Sequence, residues 1–146
     1  MSWIRKILVP IDFSDCSKKA LNYAIALGLR YRARLFILTC NEGYVMGPEL
    51  IKGDLPPDSR KAQGLLELIE ARSRKETEER LSRFLEDLPL EELGLEVETV
   101  VAQETPYVEI VRQAKEQEVD LIVMGTQGRH GLGRVLLGST TEKVVQ

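Results

Sequence analysis

Four short apolar runs alternate with segments of helical periodicity, and this alternation limits the possible folds more than any other feature of the chain. The runs cover residues 7–11, 35–40, 95–101 and 121–124. The first is continuously apolar and rich in branched side chains, which is typical of a strand buried on both faces of a parallel sheet. The third alternates apolar and polar residues, as expected of a half-exposed strand near a sheet edge.

Helices are predicted after the first and second runs. Ser14 can cap the first helix, which should finish near Gly28. Its helix-spaced apolar residues are Ala20, Tyr23, Ala24 and Leu27. The second helix is predicted over residues 59–88, and Pro89 should end it. Its middle, with a charge run at 72–79, should face solvent, and its apolar edges should face the sheet. Those apolar residues are Leu65, Leu68, Ile69, Leu81, Phe84, Leu85 and Leu88.

The third predicted helix follows the third run. Thr105 is its expected N-cap and Pro106 its first residue. One side of this helix carries Tyr107, Ile110, Val111 and Ala114. The alternation therefore predicts an α/β fold: a doubly wound, open parallel sheet with helices on both faces, three layers deep and Rossmann-like, with right-handed crossovers. A chain of 146 residues has the size of one domain, so residues 1–146 should form a single unit.

Composition excludes several function classes. A net charge of −3, with acidic and basic residues interspersed, argues against nucleic acid or an anionic membrane as a partner. No run approaches the ~18 apolar residues of a membrane span. Cys16 and Cys40 lack a CxxC spacing and should be free thiols in a reducing compartment, hence a cytoplasmic location. His130, the only histidine, is interpreted as a loop residue rather than a metal ligand or general base.

Two segments follow strand ends, where open parallel sheets bind their ligands. In the first, Asp12 directly follows the first run and could accept hydrogen bonds from a ribose or a base. The alternative is that Asp12 only satisfies backbone N–H groups in a helix-entry turn.

A separate candidate is the long segment 41–58, which is rich in glycine and proline. Such loops are often functional or disordered, and this one could recruit a partner.

The second segment places five glycines between residues 125 and 140, directly after the fourth run. Glycine allows a close backbone approach, and successive N–H groups can cradle a phosphate. Ser139 and Glu142 form a capping box, so this loop should lead into a helix N-terminus. The glycines do not match a Walker A loop, because Ser139 stands where the lysine is required, and they do not match G-x-G-x-x-G.

The glycines do match G-x2-G-x9-G-[ST], formed by Gly125, Gly128, Gly138 and Ser139, and this pattern resembles the universal stress protein family. The resemblance also covers residues 6–14, 119–125 and 137–140, and so extends over nearly the whole chain. It implies the adenine nucleotide alpha hydrolase-like form of the fold. It also implies a dimeric stress-response or signalling protein of the ATP-binding subgroup, with ATP held together with Mg²⁺ or Mn²⁺.

The resemblance assigns site residues position by position. Asp12 should face the ribose and adenine. Two groups of residues should complete the pocket, one around the base and one around the triphosphate. The first group is Pro10, Ile11, Cys40 (through its backbone), Met124 and Gly125; the second is Gly128, Arg129, Gly138, Ser139 and Thr140. The alternative is a glycine-rich turn that binds nothing.

The sequence departs from the family pattern at three places. Gln127 stands where the family often has histidine, and Glu104 where a glycine is usual. The chain stops at Gln146, before the valine-rich fifth strand that commonly pairs across the dimer axis in the family. That strand is expected to be absent, which leaves the homodimer in question. A shortened piece and a naturally short protein are both compatible with this end.

The leading functional hypothesis is an ATP-binding regulatory protein. Because the segment has neither an activating lysine nor an obvious base, no catalytic residue is assigned, no protein metal ligand is expected, and ATP hydrolysis should be slow at most. Two alternatives remain: a ligand-free interaction module of the same fold, and a nucleotide-processing enzyme on a related α/β scaffold.

Overall fold

The structure is a computed structural model that describes residues 3–41 and 60–125. Its elements alternate strictly between strand and helix, as predicted. In chain order they are β1 (Lys6–Ile11), α1 (Asp15–Tyr31), β2 (Arg34–Cys40), α2 (Arg60–Leu85), β3 (Val97–Ala102), α3 (Pro106–Glu116) and β4 (Leu121–Ile122). Predictions for the loop beyond Asn41, for the glycine segment beyond Gly125 with its capping box, and for a fifth strand lie outside the described residues.

The four strands form one parallel sheet in the order β3-β2-β1-β4. β1 pairs with β2 from Lys6↔Arg34 to Ile11↔Thr39, and with β4 at Leu8↔Ile122. The chain moves outward from β1 to β3 and then returns to the other side of β1. Strand order therefore reverses between β1 and β4, where an open α/β sheet places its ligand crevice.

Helices cover both faces of the sheet. On one face, α1 and α2 pack over Ile7, Val9 and Ile37, and on the other, α3 packs over Leu8 and Phe36. Because β1 and β2 carry helices on both sides, nearly all of their side chains are buried, which explains their continuously apolar sequences. The doubly wound α/β fold predicted from the sequence is confirmed.

Helix α1 begins where the sequence predicted, because the Ser14 side chain accepts a hydrogen bond from the backbone N–H of Ser17. It continues three residues past Gly28 to Tyr31. The predicted apolar face was wrong at Tyr23, which is 70% exposed. The buried face carries Ala20, Leu21 and Ala24. Tyr23 comes two positions after Leu21, which is about 200° around the helix, so it points away from the sheet.

Helix α2 ends at Leu85, three residues before the predicted end, and Leu88 packs against the core from the turn that follows. The middle of the helix is exposed, as predicted, but its first leucines do not face the sheet: Leu65 is 40% exposed and Leu68 69%. The Ser73 hydroxyl donates to Asn41 Oδ1 (2.7 Å), directly after β2. Residues before Ser73 therefore lie beyond the carboxyl edge of the sheet, where they have no sheet surface to cover.

The last two strands are shorter than predicted, and α3 has an unexpected buried side. β3 is an edge strand, as its alternation indicated, and starts at Val97. β4 is paired over only two residues, although the Val123 N–H still donates to the Leu8 carbonyl (2.9 Å).

On α3, Ile110 is buried as predicted, but Glu109 and Gln113 are buried too. They can be, because Gln113 Nε2 donates to Glu109 Oε1 (2.9 Å).

No helix within residues 3–41 and 60–125 has the length and apolar character needed to cross a membrane.

Asp120 joins the starts of β1 and β4. Its Oδ2 accepts hydrogen bonds from the backbone N–H groups of Arg5 (2.8 Å) and Lys6 (3.0 Å). These two bonds, aided by the positive charges of the same residues, lower the pKa of Asp120 below its ordinary value and outweigh the opposing effect of burial. The carboxylate therefore stabilises the fold at pH values above its unfolded pKa of about 4, and this contribution is lost as the pH falls through the lower folded value.

Replacing Asp120 by asparagine should lower stability at pH 7 and by less at pH 3, because pH 3 lies below the unfolded pKa of about 4 and part of the contribution of the charge is already lost there. Urea denaturation midpoints of both proteins at the two pH values measure this difference. Asp87→Asn is the matched control, since Asp87 is exposed and no hydrogen bond reaches it within the described residues. An equal loss at both pH values would contradict the role given to the charge of Asp120.

Candidate functional site

The site is built from the residues that follow the strands at the carboxyl edge of the sheet. Asp12 follows β1, Met124 and Gly125 follow β4, and Cys40 ends β2. Because β1 lies between β2 and β4, these residues come from three adjacent strands. The position between β1 and β4 is where the strand order reverses, so the structure brings the Asp12 segment and the start of the glycine segment together at the switch point.

Asp12 holds the turn from β1 into α1. Its Oδ1 accepts hydrogen bonds from both the backbone N–H of Ser14 (2.9 Å) and the Ser14 hydroxyl. The contacts required by the helix-entry interpretation are therefore present. Among the described residues, no hydrogen bond reaches Oδ2 of Asp12. One carboxylate oxygen orients the turn, and the other can accept a hydrogen bond from a ligand.

Phe13 adopts a backbone conformation that is uncommon for a bulky residue, with φ of 66°. Its ring packs edge-on against Phe84 of α2, with 5.5 Å between the ring centroids. The guanidinium of Arg80 lies 4.3 Å from the Phe13 centroid, which places a positive charge beside the Asp12 turn. Uncommon backbone conformations of this kind cluster at binding and switch segments. Here the contacts of the Phe13 ring with Phe84 and Arg80 of α2 stabilise the conformation.

The predicted base-binding residues divide between the two faces of the sheet. Cys40 and Met124 pack on the face covered by α3, and Pro10 shares that face by strand alternation. Ile11 is buried on the opposite face, in the core beneath α1 and α2. Its side chain contributes to the core, so a contact between Ile11 and a ligand would be made through the backbone.

Gly125 lies against the first turn of α1. A Cβ at this position would be 3.0 Å from Cys16 Sγ and 3.1 Å from Cys16 C. Gly94 is the only glycine of the described residues with a positive φ, so what requires glycine at position 125 is the close approach to Cys16. Gly128, Arg129, Gly138, Ser139, Thr140 and also His130 lie outside the described residues.

The described residues offer hydrogen-bond acceptors and a binding edge but no metal centre. Within 3–41 and 60–125, no group of three or more His, Cys, Asp or Glu side chains is arranged to hold a metal ion. Neither Cys16 nor Cys40 takes part in a disulfide.

Three residues at this edge were missed by the sequence analysis. Phe13 could have been noticed as a bulky residue inside a turn. Arg80 carried no signal, because its place depends on how α2 packs on the turn. Cys16 was considered only as a thiol, although a small side chain opposite a glycine is a general sign of close packing.

Comparison with known proteins identifies the family. The sequence model of the universal stress protein family matches residues 4–146. Universal stress protein MJ0531 of Methanocaldococcus jannaschii is 35% identical over 142 residues, which cover 97% of this chain and 76% of that relative. YxiE of Bacillus subtilis is also 35% identical, over 97% of this chain and 91% of its own length. The solved structure of MJ0577, also from M. jannaschii, matches with a TM-score of 0.77 at 25% identity, over 97% of this chain and 88% of that one. The chain belongs to the universal stress protein family.

Proposed function

We propose that this protein is an adenine nucleotide-binding regulatory member of its family, which holds ATP with Mg²⁺ or Mn²⁺ at the carboxyl edge between β1 and β4. The observation that carries the proposal is that Asp12 and Gly125 follow the carboxyl ends of two adjacent strands, β1 and β4, at the point where the strand order reverses. One of these residues has an available acceptor oxygen, and the other begins the motif Gly125, Gly128, Gly138, Ser139.

In this proposal the parts of the nucleotide are recognised by different elements. Asp12 Oδ2 accepts a hydrogen bond from a ribose hydroxyl. The backbone of Cys40 and the side chains of Pro10 and Met124, on one face of the sheet edge, border the adenine. The backbone N–H groups around Gly128 and Gly138, with the Ser139 and Thr140 hydroxyls and Arg129, bind the triphosphate. These groups bind and orient the nucleotide.

The proposed activity is regulation by nucleotide binding rather than rapid hydrolysis. The motif has serine at position 139, where a Walker A loop has lysine, and the described site contains no pair of nucleophile and base. The proposal extends to a cytoplasmic homodimer acting in a stress response, with the nucleotide as its signal.

Mass spectrometry of the ligand extracted from purified protein tests the proposal without assuming a substrate. After incubation with about 1 mM ATP and Mg²⁺ followed by desalting, wild-type protein should release an adenine nucleotide. Gly138→Val should release none, since the valine side chain blocks the phosphate segment. Nucleotide absent from both proteins would favour a ligand-free interaction module, and steady conversion of ATP above about one turnover per second would favour an enzyme.

A further inference from the structure

A cavity of about 460 Å³ opens at the amino edge of the sheet, at the opposite end of the strands from Asp12. It lies between the end of α1, the start of β2 and the turn that leads into β3. Cavities that hold small molecules have volumes of about 300–1,000 Å³, so this one has room for a small organic ligand. Six residues of its wall bear on what it could bind: Arg5, Leu29, Arg32, Leu93, Gly94 and Glu96.

Part of the wall is apolar. Leu29, near the end of α1, and Leu93, in the turn before β3, are each 42% exposed. An apolar group that covers the two leucines removes their surface from water, which favours binding. The cavity therefore suits a ligand with a small apolar part.

The wall also contains two arginines, Arg5 and Arg32. Within residues 3–41 and 60–125, neither of them forms an ion pair. The charge of Arg5 does help to lower the pKa of Asp120, but the Asp120 carboxylate is held by backbone N–H groups. Both guanidiniums can therefore donate hydrogen bonds to a ligand.

The other charges of the wall leave an excess of positive charge. The guanidinium of Arg34 lies 3.4 Å from Glu98 Oε2 and over the ring of Phe36, so its charge is already matched. Of the described residues that line the cavity, Glu96 is the one carboxylate. The two unmatched arginines therefore outnumber the carboxylate, and the favoured ligand is an anion.

The arginine at position 32 is not explained by the backbone that it occupies. Arg32 follows α1 in the left-handed conformation, with φ of 54° and ψ of 44°. Glycine is the usual residue at such a helix end, because any side chain makes this conformation less favourable. A positive charge for the helix C-terminus is already supplied by Arg30, in the last turn. The guanidinium of Arg32 is thus available for another role.

We propose that this cavity is a second ligand site, which binds a phosphate monoester with a small apolar body. Arg5 and Arg32 donate to the phosphate, and Leu29 and Leu93 cover the apolar part. At pH 7 a phosphate monoester carries nearly two negative charges, which two guanidiniums match, and a guanidinium can bind two phosphate oxygens at once. The site lies about 20 Å from Asp12, the length of the six-residue strand β1, so it does not depend on the proposed function.

Phenyl phosphate tests this proposal, since it joins a phosphate to one apolar ring. In a titration followed by the backbone amide signals in ¹⁵N NMR spectra, the wild type should saturate with a dissociation constant of about 1 mM. The largest shifts should occur at Arg32, Gly94 and Glu96. Inorganic phosphate lacks the ring that covers the two leucines and should bind about five-fold more weakly.

Three variants separate binding from stability. Arg32→Gly should weaken phenyl phosphate binding about ten-fold, through the loss of one charge-assisted contact, without lowering the urea midpoint, because glycine favours this backbone conformation. Arg30→Gln is the matched control: it removes the same charge from the same helix end, outside the cavity wall, and should change the constant less than about two-fold. Glu96→Gln removes the opposing carboxylate and should strengthen binding about two-fold.

The proposal is overturned if the wild type shows no saturation up to about 10 mM phenyl phosphate, or if the shifts centre on the carboxyl edge of the sheet. It is also overturned if Arg30→Gln loses as much affinity as Arg32→Gly, or if inorganic phosphate binds as tightly as phenyl phosphate. Gly138→Val, which blocks the proposed nucleotide segment, should bind phenyl phosphate like the wild type, and a loss there would contradict this inference. Binding at the amino edge by a protein that binds no ATP would support this inference and refute the proposed function alone.

Discussion

Asp12→Asn is expected to weaken ATP binding by roughly ten- to a hundred-fold while leaving the start of α1 intact. The asparagine oxygen can still accept the hydrogen bond from Ser14 N–H, which Asp12 Oδ1 accepts at 2.9 Å. The second carboxylate oxygen is replaced by an amide nitrogen, which cannot accept a hydrogen bond from a ribose hydroxyl. A hydrogen bond to a charged group contributes about 1.5–3 kcal/mol, which corresponds to this loss of affinity.

Asp120→Asn supplies the matched control for this measurement. It makes the same chemical change at the opposite edge of the sheet, where Asp120 accepts from Arg5 and Lys6. Its ATP dissociation constant, measured by calorimetry at pH 7, should equal that of the wild type although its stability is lower. Unchanged affinity in Asp12→Asn, or an equal loss in both variants, would remove Asp12 from the binding site.

The second large effect concerns stability. Leu81→Ala should lower the free energy of unfolding by about 2–5 kcal/mol, the range found for buried leucines replaced by alanine. Among the described side chains of α2, only Leu81 is buried, at 3% exposed. It packs into the core beneath α1 and α2, so its removal leaves a cavity where the helix docks on the sheet.

Leu68→Ala is the control within the same helix. Leu68 is 69% exposed, and the change should alter stability by no more than about 0.5 kcal/mol. Urea denaturation of the two variants measures the difference directly. Similar losses in both would mean that Leu68 is covered in solution, contrary to the exposure described above.

The sequence predicted the fold through the strands rather than through the helix faces. A buried parallel strand needs apolar residues on both sides, so residues 7–11 could be recognised without knowing their neighbours. Helix faces were harder to predict, because the burial of Tyr23 depends on which side α1 turns toward the sheet, and that of Leu65 on how far α2 extends past the sheet. Tyr23 lies on the outer side of α1, and Leu65 lies beyond the carboxyl edge. The orientation and extent of a helix over the sheet are set by tertiary packing, which cannot be read from the sequence of that helix alone.

The candidate site was predictable to a similar degree. The position of Asp12 after a buried strand indicated a sheet-edge residue, and its bond with Ser14 follows from local turn chemistry. The contact between Cys16 and Gly125 joins residues far apart in the chain, and it required the return of β4 to the side of β1. Glycine at position 125 was interpreted as part of a ligand cradle, and the structure adds a packing reason for it.

Isothermal titration calorimetry of the wild-type protein with ATP, in the presence of Mg²⁺, tests the central claim most directly. The site between β1 and β4 predicts saturable binding of one ATP per chain, which Gly138→Val abolishes and Asp12→Asn weakens. A dissociation constant of about 1 mM corresponds to a binding free energy of only about 4 kcal/mol. If the wild type showed no saturable binding up to this ATP concentration, the sheet edge would not be a nucleotide site.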